Sequence, residues 1–158
     1  MNEESLEARI LAQAGLLYRI SCGILRNPHD REDAVQSAME TAWKKAGSLR
    51  DESRLKSWLA RVMINECYGI LRRKQRELPM ENLPVTAAES PSEDALLLRE
   101  ALEKLPLAQR LPLILHYFEG FSIKEAAGAL RLPQGTVLSR MQRGREKLRQ
   151  LLSEEDDE

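Results

Sequence analysis

Apolar residues recur at helical spacings along most of this chain. Near its start, Leu6, Ile10, Leu17, Ile20 and Ile24 share one face of a helix predicted over residues 4–25. The segment "RNPHD" at 26–30 interrupts that pattern through its Asn-Pro step. A second helix is predicted from about Asp30 to Ala46, with Ala34, Val35, Ala38, Met39, Ala42 and Trp43 facing inward. Its first turn carries Asp30, Glu32 and Asp33, where the helix dipole favours negative charge. Gly47 and the polar run 48–53 predict a loop. A third helix, about 54–75, buries Leu55, Trp58, Leu59, Val62, Ile70 and Leu71 and closes on the basic cluster "LRRKQR".

Residues 77–92, "ELPMENLPVTAAESPS", hold three prolines among small polar side chains and read as a linker. A helix follows over about 92–104, and another begins at "KLP" (104–106) and reaches about Tyr117. Pro112 lies inside it, which predicts a kink or a late start near Leu111. Glu119-Gly120 ends that helix. Ser122 and Glu125 then fit a capping box for a helix running through Leu130. "RLP" makes a turn, with Pro133 at the first position of a last helix reaching about Leu152. On that helix Val137, Met141 and Leu148 point inward, leaving Ser139, Arg140, Gln142, Arg143, Arg145, Lys147 and Arg149 outside.

No internal repeat and no alternating strand pattern is visible. The fold class expected is all-α, with two small helical domains on a flexible linker and a helix-turn-helix as the second. The boundaries expected are 1–77 for the first domain, 78–92 for the linker, 93–152 for the second domain and 153–158 for an acidic tail.

Composition agrees with packed helices. Of 158 residues 42% are hydrophobic, which excludes a disordered chain, and only 4% are aromatic. No apolar run reaches membrane-spanning length and the acidic N-terminus lacks a signal-peptide core, so a cytoplasmic protein without membrane insertion is expected. Cys22 and Cys67 make no disulfide framework. The formal net charge of −1 conceals a block pattern: +3 over 1–78, −4 over 79–98, +5 over 99–151 and −5 over 152–158. Two basic blocks therefore persist in a near-neutral chain, and local patches set the field that a polyanion meets.

The arginine-rich last helix after a tight turn is the strongest chemical signal. Its free N-terminal amides suit a phosphate, and its arginines can pair with guanine or clamp phosphates in a major groove. Cys22, Cys67, His29 and His116 lack zinc spacing, and there is neither a phosphate loop nor a nucleophile–base pair. We therefore expect no metal, no cofactor and no enzymatic activity. Two readings are open to a chain with such a helix: a free-standing helix-turn-helix regulator that dimerises through the first block, and a helical protein-interaction module whose charges only keep it in solution.

Two segments carry a family resemblance. "NPHDREDAVQSAMETAWKKAGSLRDESRLKSWLARVMINECYGILRRKQR" (27–76) resembles region 2 of the extracytoplasmic-function sigma factors of the bacterial sigma-70 family. "ALEKLPLAQRLPLILHYFEGFSIKEAAGALRLPQGTVLSRMQRGREKLRQLL" (101–152) resembles region 4 of the same family. The resemblance implies an alternative sigma factor that binds core RNA polymerase at its clamp and flap, places both domains on promoter DNA, and is held silent by an anti-sigma factor. It assigns the clamp contact to Asp30, Asp33, Gln36 and Glu40, although Ser37 stands where the family usually has Glu. It assigns capture of a flipped base of the −10 element to Leu49 and Arg50 in the loop and Asn65 in the helix after it, with Arg72, Arg73, Lys74 and Arg76 holding phosphates. The alternative for Asn65 is a core-edge amide bonded to the loop backbone, and Trp58 could wall the pocket or sit in the core. The −35 element would be read by Thr136, Leu138, Ser139, Arg140, Gln142 and Arg143, with Leu138 replacing a basic residue common in the family.

Overall fold

The computed structural model describes residues 3–77 and 93–156, with side chains at 6–74 and 97–153; the expected linker at 78–92 lies outside the described residues. Among those residues the regular structure is helical throughout, with no strand: α1 (Glu3–Ala12), α2 (Ala14–Ile24), α3 (Pro28–Lys45), α4 (Leu55–Glu77), α5 (Glu93–Glu103), α6 (Leu107–Leu113), α7 (Ile123–Leu130) and α8 (Gln134–Asp156). The chain divides into two compact units. The first carries α1–α4; the second carries α5, α6, α8 and most of α7.

In the first unit α2, α3 and α4 pack on one another, and α1 lies against α2 and α3. All five positions singled out near the start, Leu6, Ile10, Leu17, Ile20 and Ile24, are buried. They do not belong to one helix, however. The predicted helix over 4–25 is two helices divided at Gln13, whose amide donates to the Ile10 carbonyl at 3.0 Å. Asn27 caps α3 by accepting the His29 amide at 2.8 Å, and Pro28 opens the helix where a missing N–H does no harm. The buried stripe of α3 is small: Ala34, Ala38 and Ala42, with Met39. Trp43, expected inside, is 44% exposed. The three alanines take the inward face, and a tryptophan one residue past Ala42 is carried roughly 100° around the helix.

On α4 the core residues are Leu55, Leu59, Ala60, Met63, Ile64, Cys67 and Ile70, while Trp58, Val62 and Leu71 are only half-buried. Arg31 is 4% exposed and its Nε donates to the Leu25 carbonyl at 2.9 Å. This buried guanidinium thus covers the backbone just after α2, where helix carbonyls lack internal partners.

In the second unit α8 packs along α6 and α5. Arg110 Nη2 donates to the carbonyls of Glu103 at 3.2 Å and Leu105 at 2.9 Å, tying the end of α5 to α6. Pro112 does not delay α6, which starts at Leu107 and buries the proline. The irregularity comes just after it. Residues Ile114–Phe118 form a π-turn, with the Glu119 amide donating to the Ile114 carbonyl at 3.1 Å. The helix α8 also outruns its predicted end near Leu152, continuing to Asp156, so the first four residues of the expected acidic tail are helical.

Candidate functional site

The helix-turn-helix is built by local backbone chemistry. Gly120 takes φ of 73°, a conformation that glycine adopts without strain, and turns the chain out of the π-turn. His116 Nδ1 lies 2.7 Å from the Phe121 carbonyl; that oxygen only accepts, so this ring nitrogen carries the proton. The capping box forms as predicted. The Ser122 amide donates to Glu125 Oε1 at 2.9 Å, and the Glu125 amide donates to Ser122 Oγ at 3.0 Å. The helix α7 ends at Leu130, and Arg131 follows with φ of 56°, a left-handed position usually filled by glycine. Pro133 stands one place earlier than predicted. It is the N-cap, its carbonyl accepting the Val137 amide at 3.1 Å, and Gln134 opens α8.

The buried stripe of α8 is Val137, Met141 and Gly144, with Leu148 half-buried, at spacings of 4, 3 and 4. Gly144 was missed by the sequence reading. A Cβ there would stand 2.8 Å from Leu113 Cδ1, so α8 approaches α6 more closely than a side chain would permit. Its signal was its place on the stripe of Val137 and Met141. The opposite side of α8 carries the predicted reading residues. Leu138, Ser139, Gln142 and Arg143 are exposed, and Thr136 and Arg140 are half-buried. Thr136, Arg140 and Arg143 share one line at i, i+4 and i+7. Arg145 turns elsewhere, its Nη1 donating to Tyr117 Oη at 3.1 Å.

In the first unit, Asp33, Gln36 and Glu40 are exposed at i, i+3 and i+7 on α3, one polar stripe. Asp30 is not part of an open stripe. Its Oδ2 pairs with Lys74 Nζ at 2.5 Å, with side chains 17% and 22% exposed. Two residues that the resemblance assigned to different partners thus neutralise each other. They lie 44 residues apart in sequence, and no local pattern marks such a pair.

The loop between α3 and α4 consists of two short 3-10 turns, Ala46–Ser48 and Glu52–Arg54, with Leu49 half-buried and Arg50 exposed between them. Both ends of that tip are pinned. The Leu49 amide donates to the Ala46 carbonyl at 3.1 Å, and Ser48 Oγ donates to the Lys45 carbonyl at 2.6 Å. On the other side, Asp51 Oδ1 accepts the Ser53 amide at 3.0 Å and the Ser53 hydroxyl at 2.7 Å. That hydroxyl first, and the amide second, hold the Asp51 carboxyl below the usual aspartate range.

Asn65 is exposed on α4, so it is not a core amide. It lines up with Gly69 and Arg72 at i, i+4 and i+7, a stripe left open by the glycine. Arg73 is exposed as well, and the Arg76 side chain lies outside the described residues. Burial, with smaller contributions from Glu66 and Cys22, pushes the Cys67 thiol up to about 12, which leaves it inert at neutral pH.

Comparison with known proteins places these surfaces in a family. A family model described as Sigma-70 region 2 matches residues 10–77, and one described as Sigma-70, region 4 matches residues 95–148. The chain is 36% identical over 139 residues to the ECF RNA polymerase sigma factor SigM of Mycobacterium tuberculosis, covering 86% of this chain and 71% of the relative. It is 33% identical over 144 residues to the RNA polymerase sigma-E factor of Streptomyces antibioticus, covering 89% and 80%. Among solved structures, the sigma factor RpoE in its co-crystal with the anti-sigma factor NepR from Bartonella quintana superposes with a TM-score of 0.82 at 29% identity, covering 95% of this chain and 98% of that one. CnrH, in complex with the cytosolic domain of CnrY, shares the fold with a TM-score of 0.72 at 24% identity, covering 96% and 90%. The chain belongs to the extracytoplasmic-function sigma factors of the sigma-70 family, which are transcription initiation factors. No helix among the described residues is long and apolar enough to cross a membrane.

Proposed function

We propose that this chain directs core RNA polymerase to a particular set of promoters, with its two domains, 1–77 and 93–152, joined by 78–92 and acting on separate DNA elements. The α8 face of Thr136, Leu138, Ser139, Arg140, Gln142 and Arg143 reads the −35 element in the major groove. Leu49, Arg50 and Asn65 capture a base extruded from the −10 element, and Arg72, Arg73 and Arg76 hold phosphates beside it. Asp33, Gln36 and Glu40 of α3 dock on the polymerase clamp. Lys74 and Asp30 drop to a supporting role because they are paired with each other. The Bartonella quintana sigma factor RpoE is seen in complex with the anti-sigma factor NepR, and an anti-sigma protein holds this chain silent in its turn. It works in the cytoplasm beside the polymerase and has no catalytic chemistry of its own.

The observation that carries this reading is α8 itself. Val137 and Met141 anchor one side in the core while the opposite side offers Ser139, Gln142 and Arg143 to solvent. Each module is small, so affinity comes from linking weak contacts through the polymerase. The test mixes the purified chain with bacterial core polymerase and fragmented genomic DNA and sequences the transcripts. Discrete starts sharing a two-part upstream motif are expected. A chain that neither co-purifies with core polymerase nor yields specific transcripts would overturn the reading in favour of the free-standing regulator.

A further inference from the structure

The loop that carries Leu49 and Arg50 is fastened to an element that the promoter reading does not use. Arg9 on α1 reaches across to the second 3-10 turn, its Nη1 lying 2.7 Å from Glu52 Oε2, with side chains 43% and 42% exposed. This ion pair joins residues 43 positions apart. Its place in the loop matters. Glu52 directly follows Asp51, whose carboxylate holds the Ser53 amide and hydroxyl, while the Arg54 amide donates to the Asp51 carbonyl at 3.1 Å. Arg54 Nε also lies 3.7 Å from Asp51 Oδ2. The second turn is therefore internally braced and runs directly into α4 at Leu55, and Arg9 adds a side-chain tie from this braced unit to α1. The first turn is likewise continuous with α3. Leu49 and Arg50 hang between a turn continuous with α3 and a turn continuous with α4 that Arg9 also ties to α1.

We infer that Arg9 and Glu52 are a positioning pair for −10 base capture: the ion pair holds the loop tip open at a fixed distance from the body, so that the extruded base meets a preformed pocket. This rests on the assignment of Leu49, Arg50 and Asn65 to base capture. Neither Arg9 nor Glu52 touches DNA in this scheme. A loop that must be ordered before it binds loses affinity in proportion to the fraction of time it is misplaced. An exposed ion pair biases such an equilibrium modestly, so the expected loss is about two- to fivefold in the rate of promoter opening.

The experiment uses the full chain in holoenzyme, with a fluorescent base analogue at the extruded position of the −10 element. Arg9→Glu and Glu52→Arg each slow opening about two- to fivefold, and the Arg9→Glu/Glu52→Arg double swap restores it to within twofold. Core-polymerase affinity and thermal midpoint stay at the parental values for all three, since a merely structural role would move the midpoint. The wild-type rate falls toward the single-variant rate as salt is raised, and the single variants respond less. Asn65→Ala, run in parallel, separates the two ideas. If Asn65→Ala slows opening while both charge reversals leave it unchanged, or the swap fails to restore it, the positioning pair is overturned and base capture stands. If Asn65→Ala opens promoters normally, the base-capture assignment fails and the positioning pair falls with it.

Discussion

Replacing Gly144 by alanine tests how α8 is seated, and therefore how its proposed reading face is aimed. Two effects oppose each other. Alanine is favoured over glycine in a helix interior by about 1 kcal/mol. Against this, the new methyl carbon would stand 2.8 Å from Leu113 Cδ1 and 3.4 Å from both Cβ and the carbonyl oxygen of Gln109. Leu113 is 2% exposed, so its methyl can retreat only by pushing on other core side chains. Overpacking of this kind costs about 1–3 kcal/mol. The expected net effect is a loss of about 1 kcal/mol in the second unit, which for a domain of this size lowers its melting midpoint by roughly 4–8 °C. Gly135, near the start of the same helix, is the control, because a Cβ there meets nothing within 4 Å. Gly135→Ala should stabilise the unit by about 0.5–1 kcal/mol. Amide hydrogen exchange resolved to α6 and α8 reads the unit alone. A Gly144→Ala chain whose α8 amides are protected as well as those of Gly135→Ala would refute the close approach as the reason for glycine.

Four further outcomes are expected. Asn65→Ala should slow −10 opening more than it weakens core-polymerase binding, as read by the same fluorescent base and by co-purification. Arg143→Ala should weaken binding of the −35 element by about 1–3 kcal/mol if it reads a base, with the salt slope lowered by about one if it holds a phosphate instead; titrations at several salt concentrations distinguish the two. Arg131→Gly should stabilise the turn between α7 and α8 by up to about 1 kcal/mol, since a left-handed backbone costs a side-chain-bearing residue roughly 1–2 kcal/mol, and a thermal melt of the chain checks it. The Cys67 pKa is raised by folding, to about 12. The folded state therefore holds this proton more tightly than the unfolded state, and the stability it contributes is complete below the ordinary thiol pKa and lost as pH climbs toward about 12. Cys67→Ala should flatten that alkaline decline relative to the parent in urea titrations at several pH values, whatever its effect at neutral pH.

Local rules made much of the fold readable. Caps and turn formers act within a few residues, so the break at Asn27-Pro28, the box of Ser122 with Glu125, and the turn at Gly120 were legible in sequence order, although α3 starts at Pro28 rather than near Asp30. Apolar spacing found Leu6 through Ile24 as one buried face. It could not see the break at Gln13, because two short helices that share a core keep nearly the same periodicity as one long helix. Trp43 was misplaced for a related reason. Spacing marks Ala42 and Trp43 alike as apolar, and only the close packing of an alanine stripe decides which of two neighbours goes inside. What the sequence could not disclose is tertiary in origin: the seat of Gly144 on Leu113, the buried Arg31 covering Leu25, and the pairs Asp30–Lys74 and Arg9–Glu52. Each joins groups whose proximity only the assembled core creates.

The pairing of Asp30 with Lys74 has a thermodynamic consequence. A lysine that meets DNA ordinarily sheds a condensed cation from the polyanion, and that release supplies the salt dependence of binding, about 0.9 ions for each phosphate neutralised on duplex DNA. Lys74 already carries its own immobile anion in Asp30, 2.5 Å away on another helix. On the proposed role of α4 at the promoter, Lys74 would release no ion on binding, and the end of α4 would give a shallower salt slope than its run of basic letters suggests. In that proposed role the pair would trade some electrostatic reach for promoter affinity that falls less steeply when the ionic strength of the cell rises.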